Sequence, residues 1–404
     1  MKNIALLLVL LPIHFTHAAK VESWQLPTIS PSAQPNLTKN TKGELILSWV
    51  ERTNDGHRMM IAHHQKGQWS KAKTVAEGNN WFVNWADFPS TVSLADGTIW
   101  AHYLVKSSPG TYAYDVVMKN SKDNGKSWSQ PIVVNDDGTK TEHGFVSLWP
   151  WSSSEVAITW LDGRKTVGTT SHDHHTMNTD ADSDKVMTLR AAVFANNGKK
   201  SKEWLIDQRT CDCCQTDAAL TDKGPIIIYR DRNMQEIRDV YTSRFIGNRW
   251  TAGQAVAKDN WLMPACPVNG PSISAFGNKV WAAWYTGANN TSAIRLAYSN
   301  NSGETYTATK NFMQGTHIQG RVDITGDAAG AWFLWSEERA TQSLWIARFD
   351  TKLNVLGKPI QIAQLAGRGR ATGFAKMQTI NNSVFVVWTD VINGKPVLRG
   401  ATVQ

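Results

Sequence analysis

Residues 278–286 read NKVWAAWYT, a polar turn followed by a short apolar run that ends in aromatics and then in a polar residue. The same phrase recurs along the chain as ELILSWVE (44–51), GTIWAHYLV (97–105), SEVAITWLD (154–162), GPIIIYRD (224–231), GAWFLWSE (330–337) and NSVFVVWTD (382–390). The key aromatics of the seven copies are Trp49, Tyr103, Trp160, Tyr229, Trp284, Trp335 and Trp388, at spacings of 54, 57, 69, 55, 51 and 53 residues. Helical periodicity is nearly absent. A period of about 50 residues indicates a propeller or a repeat array.

The neighbours of each key run keep one order. An inner run such as PSTVSLAD or GPSISAFG precedes it, and an alternating run such as RMMIAHH, DVVMKNS or IRLAYSN follows. A last run, often opened by Trp, closes the unit: WSKAKTV, WSQPIVV or WTAGQAV. Four antiparallel strands per unit make a propeller blade. The seventh unit is one strand short, because the chain ends at RGATVQ, while the early segment ESWQLPTI (22–29) is a strand without a unit. It is expected to complete the last blade and close the ring, which removes exposed sheet edges. The expected fold is all-β: one propeller domain over residues 19–404, with four-stranded blades, seven by this count and six as the alternative. A β-sandwich with a second domain is the other arrangement such runs allow.

Residues 1–18 carry one lysine, an apolar run from Ile4 to Ile13 and a small-residue end at Thr16-His17-Ala18. This reads as a secretory signal peptide, too short to span a bilayer comfortably. A periplasmic or secreted protein without stable membrane insertion is expected, and a monomer. The net charge of +8 is spread among acids without a dense basic run, and no nucleic-acid module is visible. A basic cleft for an anionic ligand fits this balance. The 19 tryptophans suit wedges between sheets or platforms for sugar rings.

SKDNGKSW (121–128) matches Ser-x-Asp-x-Gly-x-x-Trp through Ser121, Asp123, Gly125 and Trp128, and SNNSGETY (299–306) reads as a degenerate second copy with Tyr in place of Trp. With the repeat rhythm, this motif resembles the Asp-box, or BNR-repeat, propellers grouped with sialidases. The resemblance implies a structural role for the Asp-box, on the face away from the active site. It also implies a secreted glycosidase that clamps a carboxylate with three arginines and uses a Tyr–Glu pair as nucleophile with an Asp as acid/base. This chain lacks that family's early Arg-Ile-Pro motif: the matching strand reads QPNLTKN.

In a propeller, the loops before each inner strand and those between second and third strands share one face. Here both sets are rich in charge, His, Cys and Trp. The catalytic candidates on them are Asp87, Glu142, His143, Tyr285 and Glu337. Glu142 and His143 are adjacent, an acid beside a base suited to proton transfer in hydrolysis or in uronate elimination. The binding candidates are Trp85, as a sugar platform, and Arg164, Arg230, Arg232, Arg368 and Arg370, whose planar guanidinium suits a carboxylate. Asp162 with Arg164, and Asp231 with Arg230 and Arg232, also suit plain ion pairs.

RTCDCCQTD (209–217) holds Cys211, Cys213 and Cys214, and Cys266 occupies the matching place one unit on. Three readings stay open. One is a disulfide from Cys266 to Cys213 or Cys214. The second is a soft metal, copper or zinc, on thiolates. The third is a reactive cysteine. His172, His174 and His175, in the longest loop, suit a divalent metal as well. The function expected is binding or hydrolysis of an anionic carbohydrate or another small anion. The alternatives are a periplasmic metal-binding propeller and a non-catalytic interaction module.

Overall fold

The structure, a computed structural model, describes residues 20–29, 31–168, 185–381 and 383–404. Seven antiparallel sheets, each with a four-strand path, follow one another in the chain. The seven-bladed reading holds and the six-bladed one does not. Blade 1 runs Ser32–Lys39, Leu45–Arg52, His57–Gln65, with Gln68–Trp69 and Lys73–Gly78 outermost; blade 2 is Ser90–Ser93, Ile99–Lys106, Tyr114–Ser121 and Ile132–Val133. Blade 3 is His143–Pro150, Glu155–Asp162, Thr188–Ala195 and Lys200–Asp207; blade 4 is Asp217–Thr221, Gly224–Arg230, Val240–Ile246 and the short pieces Arg249–Trp250 and Gln254–Ala255. Blade 5 is Ser272–Phe276, Lys279–Thr286, Ala293–Ser299 and Ala308–Gln314; blade 6 is Ile318–Gly326, Gly330–Glu338, Gln342–Asp350 and Val355–Leu365.

Blade 7 takes Lys376–Ile380, Ser383–Ile392 and Lys395–Val403 from the end of the chain and Val21–Ser23 from its start. Val21 pairs with Val403, Glu22 with Thr402 and Ser23 with Ala401. The closing strand thus begins one residue earlier than expected and stops at Ser23. Trp24, whose N–H still donates to Gly400 O at 2.8 Å, packs its ring edge-on or tilted against Phe385 of blade 7 and His64 and Trp69 of blade 1, with ring centroids 4.8–5.1 Å apart. Each inner strand packs beside the next, and Lys376–Ile380 beside Ser32–Lys39, so the ring is closed. Residues 1–18, expected to be a signal peptide, lie outside the described residues. Among the described residues, no helix is long and apolar enough to cross a membrane.

The key aromatics explain the repeated phrase. Trp49, Trp160, Tyr229, Trp284 and Trp335 have no accessible surface. A buried indole N–H left unpaired costs about 1–3 kcal/mol. In three blades the acid two residues on accepts it: Glu51 from Trp49 at 2.9 Å, Asp162 from Trp160 at 2.8 Å and Glu337 from Trp335 at 3.1 Å. Trp284 uses Asp259 of the preceding loop, and the Tyr229 hydroxyl uses Asp207.

A second device ties inner strands in pairs. Asp87, Asp217 and Asp323, at the starts of blades 2, 4 and 6, each accept a backbone N–H of the next blade: Phe145, Ile273 and Met377, at 2.7–2.9 Å.

The turn at 121–128 closes on itself. Asp123 accepts from the N–H groups of Lys126 and Ser127 and from the Ser121 and Ser127 hydroxyls, and the Gly125 N–H donates to Ser121 Oγ. Gly125 has φ +79°, and a Cβ there would sit 2.7 Å from Ile61 Cδ1, so glycine is required twice over. Trp128 packs on Ile61 and Val117. At 299–306 Asn301 stands where Asp123 stands in the first turn, and it accepts from the Ser299 hydroxyl and the Thr305 N–H.

Candidate functional site

The segments that lead into the inner strands bond to one another across one end of the ring. The Gln215 amide donates to Ala86 O at 2.5 Å and accepts from the Gly270 N–H at 2.8 Å, and the Arg321 N–H donates to Asn269 Oδ1 at 2.9 Å. Beneath them the inner strands line an axial cavity of about 470 Å³, with Asp87, Phe145, Gln215, Gly270 and Phe374 among its walls.

On this face Tyr114 stands between two carboxyl groups. Its hydroxyl lies 3.0 Å from Asp87 Oδ2 and 2.9 Å from Glu142 Oε1. Phe82 stacks on its ring at 3.9 Å, and the residue is fully buried. Gly144 makes room: a Cβ there would fall 2.0 Å from Asp87 Oδ2. A phenol has one proton and can donate to only one acceptor at a time. The second carboxyl therefore has to bring a proton of its own. Burial pushes Asp87 up to about 7, against the Phe145 N–H and the Tyr114 hydroxyl. Burial also raises Glu142 well above the usual carboxylate range; the Tyr114 bond opposes this, and the charges of Asp87, Asp212 and Cys266 add to it. Tyr114 is raised well above the ordinary phenol by burial and by the same two carboxylates. Tyr114 and Asp87 are closed to solvent, whereas Glu142 keeps part of its side chain accessible.

Beside this trio, half-buried Trp85 is flanked by two cations. Arg321 lies 4.9 Å and Arg370 5.9 Å from its ring, and Phe374 stacks parallel to it at 5.8 Å. Arg321 is held by Thr372 Oγ1 and Gly373 O at 2.8 and 3.0 Å. Burial, together with the Arg370 charge, lowers it to about 10 against the Glu338 charge. Arg370 is exposed and has no carboxylate partner among the described residues. Tyr112 feels the charges of Glu142, Cys266, Arg370 and Cys213, which puts side chains of blades 2, 3, 4 and 5 and the loop before blade 7 around one mouth.

The remaining sequence candidates have other partners. His143 is fully buried; its Nε2 lies 3.0 Å from Asp137 and its Nδ1 3.2 Å from the Tyr114 carbonyl, so it is turned toward blade 2 and the segment leaving it, and its hydrogen-bond partners among the described residues do not include Glu142. Tyr285 bonds Ser292, not an acid. Glu337 holds the Trp335 indole as Glu51 and Asp162 hold theirs. Arg164 forks onto Asp162 at 2.6 and 2.8 Å. Arg230 is buried under Trp261 and donates to the carbonyls of Arg238, Asn269 and Tyr285 at 2.7–2.9 Å, which ties blade 4 to blade 5. Arg232 pairs with Glu236 and Asp212, and Arg368 with Glu338. Sequence reasoning missed Tyr114 and Arg321. Tyr114 opens a third strand and Arg321 sits near the start of an inner strand, both on loop-face positions where the other candidates were sought.

All four cysteines are free thiols in the structure; Cys211 and Cys214 are buried, Cys213 is half-buried and Cys266 is exposed. The Sγ atoms of Cys211, Cys213 and Cys214 lie within 4.8 Å of one another; burial first, then the neighbouring thiols of Cys211, Cys214 and Cys266, raise the Cys213 thiol well above the ordinary range. Cys266 does not belong to that cluster of three. His172, His174 and His175 lie outside the described residues.

No family model matches the chain, and no curated protein matches it in sequence. Solved structures do match in shape. The polysaccharide lyase Uly1 is 9% identical with a TM-score of 0.51, over 93% of this chain and 90% of that one. An ulvan lyase of polysaccharide lyase family PL25, solved bound to -[GlcA(1-4)Rha3S]-, is 12% identical with a TM-score of 0.50, over 80% of each chain. A Trypanosoma rangeli sialidase is 11% identical with a TM-score of 0.49, over 91% of this chain and 59% of that one. At such identities the likeness to the two lyases is one of fold alone; this chain is a seven-bladed β-propeller of four-stranded antiparallel blades.

Proposed function

We propose that the mouth of this propeller binds an anionic carbohydrate and cleaves its glycosidic bond, with Glu142 donating a proton to the leaving oxygen. The carrying observation is the Tyr114 hydroxyl shared by Asp87 and Glu142 beside a tryptophan flanked by two arginines. A carboxyl that stays protonated near neutral pH is fit for general acid work. Glu142 is the member of the trio that reaches the surface, and Asp87 and Tyr114 hold it and its proton in place. Trp85 offers a ring face to a sugar. Arg370, without an ion-pair partner among the described residues, offers its guanidinium to a carboxylate or sulfate, and Arg321 supplies charge behind it. The residue types named by the sialidase resemblance, Tyr, Glu and Asp, meet here as Tyr114, Glu142 and Asp87. The solved ulvan lyase, which holds a uronate chain, agrees with this ligand class.

The test is turnover of sialylated, uronate-containing and sulfated oligosaccharides. New reducing ends are expected, lost in Glu142→Gln while calorimetric binding survives. Hydrolysis leaves saturated products. Elimination from a uronate would need, besides the same proton donor at the leaving oxygen, a base that takes the C5 proton, and it leaves an ultraviolet-absorbing unsaturated sugar, so the product identifies the bond-breaking route. Failure of every anionic glycan to bind or turn over would sink the proposal, as would full activity in Glu142→Gln.

A further inference from the structure

The proposed glycan chemistry makes no use of the four thiols gathered at the edge of the same mouth. We infer that Cys211, Cys213 and Cys214, joined by Cys266 from the segment before blade 5, bind one thiophilic closed-shell metal ion, zinc(II) or copper(I).

Three observations carry this. The first is spacing. Bonds of about 2.3 Å from zinc to sulfur place tetrahedrally arranged sulfurs about 3.8 Å apart. The three Sγ atoms lie within 4.8 Å of one another, with Cys211 and Cys214 at 3.5 Å; exposed Cys266 stands outside that trio but interacts with Cys213, from where it can close on a bound ion as a fourth donor. An all-sulfur donor set selects zinc or copper(I) over hard cations.

The second is rigidity. The Cys211 N–H donates to Arg230 O at 3.1 Å, Thr210 bridges to Asp231, and the Gln215 amide is bonded to the segments leading into blades 2 and 5. The loop holds its thiols in place through its own bonds, as a binding site requires.

The third is an outer ring of charge. Fully buried Arg238 donates from Nη1 to Cys211 Sγ at 3.2 Å and from Nη2 to Glu236 at 2.9 Å. Glu236 in turn accepts from Arg232, which also grips Asp212 inside the cysteine run. A cation donating to sulfur offsets the negative charge of a multi-thiolate centre, and such outer bonds orient the ligands.

Full-length protein, purified under reducing conditions and stripped of metal by a chelator, is titrated with zinc(II) against a chromophoric chelator. In a separate anaerobic arm it is titrated with copper(I) against a copper(I) chelator. Cobalt(II) serves as a spectroscopic probe, since thiolate ligation gives an intense charge-transfer band. One equivalent of zinc(II) or of copper(I) is expected to bind, and the tighter arm identifies the ion. Affinity should fall by roughly tenfold or more in Cys213→Ser and in Cys266→Ser. Cys266 is exposed, so its variant keeps the fold, which near-ultraviolet circular dichroism on the many tryptophans verifies. The inference is overturned if the reduced protein takes up neither ion stoichiometrically. It is also overturned if both variants bind as the parent does, or if a Cys211–Cys214 disulfide forms and its reduction restores no metal uptake. No glycan enters these measurements, so their failure leaves the proposed carbohydrate function standing.

Discussion

Asp87 and Glu142, carried by neighbouring blades, reach the same phenolic oxygen, that of Tyr114, at 3.0 and 2.9 Å. Neither carboxyl has a cation among its hydrogen-bond partners. Tyr114→Phe keeps the ring that stacks on Phe82 and removes the shared hydroxyl. A hydrogen bond to a charged group contributes about 1.5–3 kcal/mol. Turnover of a responsive glycan should fall by roughly ten- to a hundredfold on that scale, with the pH optimum displaced. An unchanged pH profile in Tyr114→Phe would show that the phenol does not hold the proton.

Asp87 makes stability depend on pH in a definite direction. Its folded value is near 7, against 3.8 for the ordinary side chain. Between those values the folded protein binds more protons than the unfolded chain, so stability falls as pH rises from about 4 to 7 and then levels off. Asp87→Asn should flatten that slope in urea titrations across the window. A parent whose stability rises over the same range at the Asp87-dependent step would contradict the assignment.

The arginines separate into structural and ligand-facing sets. Arg230→Ala removes bonds to three buried carbonyls and should cost roughly 3 kcal/mol of stability or more, at about 1 kcal/mol for each of several bonds. Arg370→Ala touches no ion pair among the described residues and should leave the melting temperature unchanged. It should weaken an anionic glycan by about 1.5–3 kcal/mol in calorimetry. Equal effects on binding from both variants, at equal stability, would undo the distinction.

The turn at 121–128 provides a check away from the mouth. Gly125→Ala forces a side chain into the left-handed region, a cost of roughly 1–2 kcal/mol, and drives it toward Ile61. Thermal unfolding should register the loss while glycan and metal binding at the opposite end stay at parent levels.

Much of this architecture is legible in the repeat. NKVWAAWYT and its six relatives mark the second strand of each blade, and the missing strand of the last unit points to the start of the chain. The chemistry is less legible because partner choice is made in three dimensions. Glu337 looks catalytic on its own, yet it repeats the position of Glu51 and Asp162, and comparing the repeats was enough to reveal an indole acceptor. Tyr285 and Tyr114 cannot be told apart that way. Which of them meets carboxylates depends on how far each side chain stands from the neighbouring blade's first strand. The arginines were misleading for a related reason: a loop rich in both signs satisfies most of its own charge, and Arg370 is left over only because its loop brings no acid to meet it.

The pairing of Val21 with Val403 has a consequence for biogenesis. Strands far apart in sequence, Val21–Ser23 and Lys395–Val403, are stitched into one sheet, so a nascent chain cannot complete this blade until Lys395–Val403 has been released. Six blades' worth of sheet have to wait, or form provisionally, with an unpaired edge on either side of the gap. Such an intermediate is open to edge-to-edge association. Deleting Val21–Ser23, or their partners Ala401–Val403, would hold the protein in that vulnerable form.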